Sequence, residues 1–370
     1  MRVLITGGGT AGHINPAIAL ADIIKQHNKQ DEVAFVGTPD GMEKKLVEAA
    51  GYHMYPIRVK GFRRSLSPQN IQAAWLALTS PHAAAQIISS FRPSLVIGTG
   101  GYVCWPLLRA ATKMGIPAAL HESNAIPGLA TRKLAPYMDA IWLNFRETAA
   151  ALPPRCVSPI HTGNPLRRDF STVSREAARR ELHLSDKDFF ILSFGGSRGA
   201  EEMNKALIRF MNEELPRDPH LYHAHACGEA HFEACRAMLS SPSSQAVLLP
   251  YISKMATYMS AADIVICRAG AMTLSELAIC RKCAILVPSP YVAGDHQRKN
   301  AAIFANEGAA CVVEESDLPT NKLRNIIFKL KEEDFLRKNM QKSIEKLAKK
   351  QANAILYQQI RFLAEKRAAD

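Results

Sequence analysis

The chain has 370 residues, of which 47% are hydrophobic and 22% are charged, so it can bury a core and is neither disordered nor collagen-like. This length predicts two domains or one large domain. The net charge of +12 favours an anionic partner, such as a phosphorylated substrate, a nucleic acid or an anionic membrane surface. We expect no secretory signal, because Met1 leads directly into an apolar strand, and the eight cysteines should stay reduced.

Short apolar strands alternate with helical segments in the first part of the chain. This alternation predicts βαβ units and a parallel sheet, in which ligands bind beyond the carboxyl ends of the strands. The predicted strands are Val3–Thr6, Glu32–Val36, Leu95–Gly98, Ala118–His121 and Ala140–Leu143, and the predicted helices are Ala17–His27, Met42–Ala50 and Gln69–Ser89.

Prolines and turn-forming residues interrupt the pattern at residues 151–165, which predicts a linker. The alternation restarts after Thr172. Its predicted elements are helix Arg175–Leu182, strand Phe189–Phe194, helix Glu201–Glu213, strands Leu221–Ala226, Ala246–Leu249 and Ile264–Cys267, helix Thr273–Cys280 and strand Ala284–Val287. The expected fold class is therefore α/β, with two doubly wound halves of similar size.

A glycine-rich loop follows the first predicted strand. Its Gly7–Gly12 segment has the Gly-x-Gly-x-x-Gly spacing with which backbone N–H groups approach a phosphate. Asn15 or a neighbour is expected to cap the following helix, with Pro16 in its first turn. Similar loops follow strands at Gly98–Tyr102 and Gly195–Gly199. Together they predict two phosphate-bearing ligands that face each other across an interdomain cleft.

An NAD-dependent oxidoreductase is one alternative interpretation of the first loop. Such an enzyme needs an acidic residue at the end of the second strand, where this chain has Gly37 and Thr38. The alternating residues His223, His225 and Cys227 would share one face of a strand and could form a zinc site. We prefer the interpretation that the two imidazoles simply pack on that face of the sheet. A single Cys-x-x-Cys motif at residues 280–283 has no second pair at zinc spacing.

Six motifs then occur in an order that is found in one enzyme family. They are Gly8–His13, His121–Ala125, Thr162–Arg167, Gly195–Gly199, Cys267–Glu276 and Asp295–Ala301. Together they resemble the MurG family, the transferases that add N-acetylglucosamine to the lipid-linked muramoyl-pentapeptide of peptidoglycan synthesis. The resemblance covers the chain from the first strand to the last of these motifs.

The resemblance implies the GT-B fold, in which two Rossmann-like domains flank a cleft. It implies an acceptor- and membrane-side domain at residues 1–165, a UDP-sugar-binding domain at 166–351 and a last helix at 352–370 that returns to the first domain. The implied reaction is inverting transfer of N-acetylglucosamine from UDP-N-acetylglucosamine to the 4-hydroxyl of undecaprenyl-diphospho-muramoyl-pentapeptide, lipid I, to form lipid II. The resemblance implies a peripheral membrane protein on the cytoplasmic face of the inner membrane, with cell-wall synthesis proteins as partners. No cofactor is expected.

The resemblance also assigns ligand-binding residues. Glu276 would accept hydrogen bonds from both ribose hydroxyls, and the backbone of Ile252 would bind uracil. The implied donor-binding residues are Thr10, Ala11, Gly12, Asn124, Arg167, Ser197, Ile252, Ala271, Met272, Thr273, Leu274, Ser275, Glu276 and Gln297. The acceptor diphosphate is expected at Gly9, Gly100, Gly101 and Tyr102.

An inverting transfer needs a base for the acceptor hydroxyl and stabilisation of the departing UDP. His13 is the first candidate base, since a helix N-terminus favours a neutral imidazole, and Glu122 is the alternative. No Asp-x-Asp motif occurs in a metal-binding context, so no obligatory metal is expected.

Three positions depart from the family pattern. Ala11 stands where glycine is usual, and its methyl group could crowd a phosphate or force a backbone shift. Arg198 and Arg298 stand where amides are common and would add positive charge near the donor.

Other functions remain open for this fold. They are another UDP-sugar enzyme, such as a glycolipid glycosyltransferase or a UDP-N-acetylglucosamine 2-epimerase, and the oxidoreductase considered above. Nucleic-acid binding is not expected, because no recognition motif accompanies the charge. A basic and apolar segment with Lys60, Arg63, Arg64, Ile71, Trp75 and Leu78 suits an anionic bilayer surface.

Overall fold

A computed structural model describes residues 1–61, 69–196, 200–240 and 243–369. The chain divides into two compact units. The first unit contains Met1–Arg167 and Lys349–Asp370, and the second contains Arg168–Ala348. The chain therefore leaves the first unit once and returns to it at its end.

The first unit is built on a seven-stranded sheet in which every neighbouring pair of strands is parallel. Its strands are β1 (Arg2–Thr6), β2 (Glu32–Gly37), β3 (His53–Pro56), β4 (Leu95–Gly98), β5 (Ala118–Glu122), β6 (Ala140–Leu143) and β7 (Ile160–His161). Its first helices are α1 (Ala11–His27), α2 (Met42–Ala49), α3 (Gln69–Phe91), α4 (Cys104–Lys113) and α5 (Leu129–Leu134).

The first sheet is buried on both faces. Successive residues of β1 point to opposite faces, so Val3 and Ile5 pack in one apolar cluster and Leu4 packs in the other. The strand order is β3-β2-β1-β4-β5-β6-β7, so the direction of the order reverses between β1 and β4. A ligand is expected at this reversal, beyond the carboxyl ends of these two strands.

The second unit repeats this plan with six parallel strands. They are β8 (Phe189–Phe194), β9 (Leu221–Ala226), β10 (Ala246–Leu249), β11 (Ile264–Cys267), β12 (Cys283–Leu286) and β13 (Ala310–Val312), in the order β10-β9-β8-β11-β12-β13. Its helices are α6 (Asp169–Thr172), α7 (Arg175–Glu181), α8 (Glu201–Glu214), α9 (Phe232–Met238), α10 (Met255–Ala261), α11 (Ala271–Ile279), α12 (His296–Asn306), α13 (Lys322–Glu332) and α14 (Asp334–Leu347).

The last helix, α15 (Ala352–Ala369), belongs to the first unit. Its Leu356 and Ile360 are fully buried in the apolar cluster that includes Ile14 of α1. The side-chain amide of Asn353 pairs with the backbone of Leu166, accepting from its N–H at 3.0 Å and donating to its carbonyl at 2.7 Å. These contacts attach the chain end to the first sheet.

The predicted α/β class of two doubly wound halves is confirmed. The prediction of a linker at residues 151–165 is wrong for its second half, because β7 pairs with β6 and residues 162–166 are buried. The start predicted for α1 is also wrong. The helix begins at Ala11 with Thr10 as N-cap, and Pro16 lies inside it. Proline has no N–H, so the carbonyl of Gly12 lacks the donor that an unbroken helix would supply.

Candidate functional site

Two loops meet at the strand-order reversal of the first unit. One follows β1 and contains Gly7–Gly12, and the other follows β4 and contains Thr99–Tyr102. The N–H of Gly8 donates to the carbonyl of Gly100 at 3.4 Å. A methyl group at Gly101, whose φ is +84°, would lie 2.2 Å from the carbonyl oxygen of Gly8. Glycine is therefore required there for the two loops to approach.

His13 lies between these loops, in the first turn of α1. Its Nδ1 is 3.1 Å from the carbonyl oxygen of Gly8 and 3.3 Å from Oγ1 of Thr10. Because a carbonyl oxygen only accepts, Nδ1 carries the proton of a neutral imidazole, and the lone pair is then on Nε2. A methyl group at Gly100 would lie 2.7 Å from Cδ2 of His13. The ring is therefore oriented by both loops.

Glu122, the alternative base, has a different environment. Its side chain is buried at the end of β5, and its carboxylate accepts four hydrogen bonds. Oε1 accepts from the N–H and the side-chain amide of Asn124 at 3.1 and 3.2 Å. Oε2 accepts from Gly128 N–H at 3.1 Å and from the Thr131 hydroxyl at 2.7 Å. These four bonds occupy both carboxylate oxygens and tie down the loop after β5.

Two further polar side chains of the first unit are His121 of β5 and Tyr102 of the loop after β4. Burial lowers the pKa of His121, and its Nε2–H donates to the carbonyl of Gly163 at 3.0 Å. Tyr102 is partly exposed, and its ring covers Gly9, where a methyl group would lie 3.0 Å from Cε1. Partial burial, and then the charge of Glu43, raises the pKa of Tyr102.

Glu43 of α2 is a further carboxylate of this site, and no motif in the sequence points to it. Its carboxylate accepts from Gly9 N–H at 3.4 Å, so this N–H is directed into the unit. Met42 and Glu43 begin α2, and the residues around them form no known motif. Glu43 comes to lie beneath the glycine loop only when the chain folds.

The strand order of the second unit reverses between β8 and β11. Two of the predicted donor-binding segments follow these strands. Gly195 and Gly196 follow β8, and Gly196 has a φ of +86°. Ser197, predicted at the diphosphate, and Arg198 lie outside the described residues.

Helix α11 begins at this reversal, directly after β11. Gly270 is its N-cap, and the predicted residues Ala271, Met272 and Thr273 form its first turn. A helix N-terminus favours an anion such as a diphosphate. Leu274 is buried, whereas Ser275 and Glu276 are half-buried. Burial, and then the charge of Glu276, raises the pKa of the Cys267 thiol, so this carboxylate lies close to the end of β11.

The remaining predicted donor residues lie at several places. The side chain of Ile252 is buried, and the ring of the preceding Tyr251 is exposed. Gln297 accepts from the N–H of Ser289 at 2.9 Å, which ties α12 to the segment after β12. Arg167 is in the first unit. Burial raises the pKa of Asp22 there, and the hydrogen bond from Tyr52 and the charge of Arg167 only partly oppose this shift.

Two of the departures from the family pattern have a structural explanation. Ala11 is the first residue of α1 and is not among the residues of positive φ, so its methyl group imposes no backbone strain. Arg298 pairs with Glu314 at 2.8 Å and with Asp295 at 3.0 Å. The positive charge of Arg298 is therefore paired with two carboxylates of its own unit.

His223 and His225 belong to a buried hydrogen-bond network. The hydroxyl of Ser193 is 2.7 Å from Nε2 of His223 and 2.8 Å from Nδ1 of His225, and Nε2 of His225 donates to Oδ1 of Asn204 at 3.0 Å. Burial lowers the pKa of both imidazoles, that of His225 to about 4. Within the described part of the chain, no three His, Cys, Asp or Glu side chains are grouped to hold a metal ion.

The chain is similar to known glycosyltransferases over both units. Residues 3–143 match the N-terminal domain of glycosyltransferase family 28, and residues 190–356 match its C-terminal domain. A UDP-N-acetylglucosamine–N-acetylmuramyl-(pentapeptide) pyrophosphoryl-undecaprenol N-acetylglucosamine transferase of Acetivibrio thermocellus is 37% identical over 370 residues, which is 100% of each chain. This chain belongs to the MurG family. The fold is therefore GT-B, and the protein is a glycosyltransferase, as predicted.

Solved structures agree with this family. The crystal structure of MurG of Acinetobacter baumannii has a TM-score of 0.75 and 29% identity, with 99% of each chain covered. A UDP-GlcNAc 2-epimerase of Neisseria meningitidis, solved with UDP-GlcNAc, has a TM-score of 0.65 and 14% identity, with 97% of this chain and 99% of that chain covered. The second likeness shows only a shared fold.

None of the helices in the described ranges is both long and apolar enough to cross a membrane.

Proposed function

We propose that this member of the MurG family transfers N-acetylglucosamine from UDP-N-acetylglucosamine to the 4-hydroxyl of undecaprenyl-diphospho-muramoyl-pentapeptide. The observation that carries the proposal is the orientation of His13 at the reversal point of the first sheet, in a chain that matches this family over its whole length. The reaction is one displacement at the anomeric carbon, which inverts its configuration.

The acceptor binds at the first unit. As the bond from its oxygen to the anomeric carbon forms, the acceptor hydroxyl passes its proton to Nε2 of His13. The Nδ1–H of His13 donates to the carbonyl of Gly8, which fixes the tautomer that this transfer requires. Glu122 holds the loop that carries Asn124 and takes no proton itself.

The donor binds at the second unit. The first turn of α11 offers backbone N–H groups to the diphosphate. These groups stabilise the negative charge that grows on UDP as its bond to the anomeric carbon breaks. Glu276 accepts hydrogen bonds from the ribose hydroxyls.

The protein works at an anionic membrane face, where its lipid-linked acceptor lies. The support is one face of α3, on which Ile71, Trp75 and Leu78 are 75%, 62% and 82% exposed. These residues are spaced by four and three positions, so they lie on the same side of the helix. The predicted basic residues Arg63 and Arg64 lie outside the described residues.

The direct test is mass spectrometry of the products from UDP-N-acetylglucosamine and a short-chain lipid I analogue. We expect one added N-acetylhexosamine and release of UDP, with no product when either substrate is omitted. Conversion of UDP-N-acetylglucosamine alone to its 2-epimer, without addition to the acceptor, would contradict the proposal and indicate an epimerase.

A further inference from the structure

Glu43 is a buried carboxylate beneath the first glycine loop, and its side chain is 1% exposed. Glycines make the space that it occupies. A methyl group would lie 2.9 Å from its Cδ if placed at Gly8, 2.8 Å from its Cγ if placed at Gly37, and 2.5 Å from its Cδ if placed at Gly41. Chain segments from two loops and a strand end therefore close around this one side chain.

Each carboxylate oxygen of Glu43 accepts hydrogen bonds. Oε1 accepts from the N–H of Thr38 at 3.1 Å and from its hydroxyl at 2.5 Å. Oε2 accepts from the N–H of Gly9 at 3.4 Å. A buried charge needs such partners. The bond to Gly9 ties the start of α2 to the glycine loop.

The neighbouring residue in the loop contacts the proposed base. Gly8 precedes Gly9, and the carbonyl of Gly8 accepts from Nδ1 of His13 at 3.1 Å. The peptide unit between Gly8 and Gly9 contains both this carbonyl and the N–H that Glu43 binds. If that unit rotates, the carbonyl turns away from His13. The orientation of one peptide plane therefore links Glu43 to the imidazole.

We propose that Glu43 is a positioning residue that holds the Gly8–Gly9 peptide plane and so keeps His13 in its Nδ1–H tautomer. The effect of this tautomer on the reaction rests on the proposed function, whereas the tautomer itself does not. The same contact directs the Gly9 N–H to Glu43 and away from an acceptor phosphate.

The first experiment measures the tautomer without any substrate. Nitrogen NMR shifts of ¹⁵N-histidine-labelled full-length protein report which ring nitrogen is protonated, and the spectrum of His13→Ala identifies the signals of His13. We expect Nδ1–H in the wild type and a larger Nε2–H population in Glu43→Gln. Glu48→Gln, an exposed position on the same helix, should leave the signals unchanged. Identical His13 shifts in the wild type and in folded Glu43→Gln would overturn the proposal.

A second variant covers the case in which Glu43→Gln does not fold. Glu43→Asp keeps the charge but shortens the reach by one methylene group, so it should lose the bond to Gly9 and shift the tautomer as well. Unchanged His13 shifts in folded Glu43→Asp would also overturn the proposal.

The second experiment is a double-mutant cycle on turnover at saturating substrates. Glu43→Gln should lower kcat about ten- to a hundredfold in the wild-type background, with little change in the KM for UDP-N-acetylglucosamine. In the His13→Ala background it should lower kcat no further, because its effect passes through His13. An equal loss in both backgrounds would overturn the proposal. A wild-type protein that makes no lipid II would contradict only the proposed function, and the NMR experiment would still decide the role of Glu43.

Discussion

The polar side chains around the first glycine loop differ in the partners that they bind. Nδ1 of His13 donates a hydrogen bond to the backbone carbonyl of Gly8. The carboxylates of Glu122 and Glu43 instead accept hydrogen bonds from backbone and side-chain donors. The oxygens of both carboxylates are therefore occupied by donors that hold these side chains in place. This contrast supports the proposed roles, which are proton transfer for the imidazole and positioning for the two carboxylates.

The role of His13 predicts a kinetic effect. His13→Ala should lower kcat about 10²–10⁴-fold, the usual range for a general base, and should leave UDP-N-acetylglucosamine affinity nearly unchanged. Steady-state rates, calorimetry and thermal unfolding on one preparation test this. A variant that keeps more than about a third of wild-type turnover would exclude His13 and return the role to Glu122. A purely structural His13 would instead lower the melting temperature and weaken the binding of both substrates.

The role of Glu276 predicts a binding effect. Glu276→Ala should weaken UDP-N-acetylglucosamine binding by about 1.5–3 kcal/mol, because hydrogen bonds to a charged acceptor are lost. Calorimetry on the purified variant measures this. Glu307→Ala, at an exposed position of the same unit, is the matched control. Unchanged donor affinity in Glu276→Ala would remove this residue from the site.

Helix α3 is buried along one part of its length and exposed along another. Its Ala84 and Ile88 are buried in the core of the first unit, and the indole N–H of Trp105 on α4 donates to the carbonyl of Ala77 at 3.3 Å. Its side chains at residues 71, 75 and 78 are largely exposed instead. An exposed cluster of large apolar side chains is typical of an interaction surface, which supports the proposed contact with lipid.

We therefore expect the exposed face of α3 to control vesicle binding. Ile71→Ser, Trp75→Ser and Leu78→Ser together should weaken co-sedimentation with anionic vesicles by at least about tenfold, since three apolar side chains lose their burial in lipid. Raising the salt concentration should weaken wild-type binding as well, because the chain is basic. Phe335→Ser, another exposed aromatic position, is the control. Full binding by the triple variant would move the docking face elsewhere, for example to the basic C-terminal helices.

At the scale of the whole molecule, the chain end returns to the first unit. Residues 168–348 form the second unit, so α15 reaches the first sheet only after that unit is complete in sequence. All three tryptophans, at positions 75, 105 and 142, lie in the first unit. Tryptophan fluorescence therefore reports the unfolding of the first unit alone.

This arrangement predicts the effect of a substitution near the chain end. Leu356→Ala should lower the free energy of unfolding of the first unit by about 2–5 kcal/mol, because a fully buried leucine leaves a cavity in the cluster with α1. Urea titration followed by tryptophan fluorescence measures the change. Gln358→Ala, an exposed position on the same helix, should have almost no effect. An unchanged midpoint in Leu356→Ala would mean that α15 does not stabilise the first unit.

The local sequence predicted most of the elements, since apolar strands and glycine turns are short-range signals. It predicted β1 and β8 within one residue and the glycine loops after them. It missed β3, β7 and β13, which are edge strands of four, two and three residues. Such short segments give little alternation of apolar and polar residues from which a strand can be predicted. It also started α1 too late, because Pro16 is common in a first helical turn but lies inside this helix.

The sequence by itself determined the fold class, the family and the identity of both candidate bases, because these follow from ordered motifs and from the types of residue present. Only the tertiary structure shows the hydrogen-bond partners on which the proposed choice of base and the proposed role of Glu43 rest. A carboxylate or an imidazole has the same chemistry wherever it occurs in a sequence. Its role depends on the donors and acceptors around it, which come from distant segments: Glu43 binds Gly9, 34 residues away. Such contacts exist only after the chain has folded.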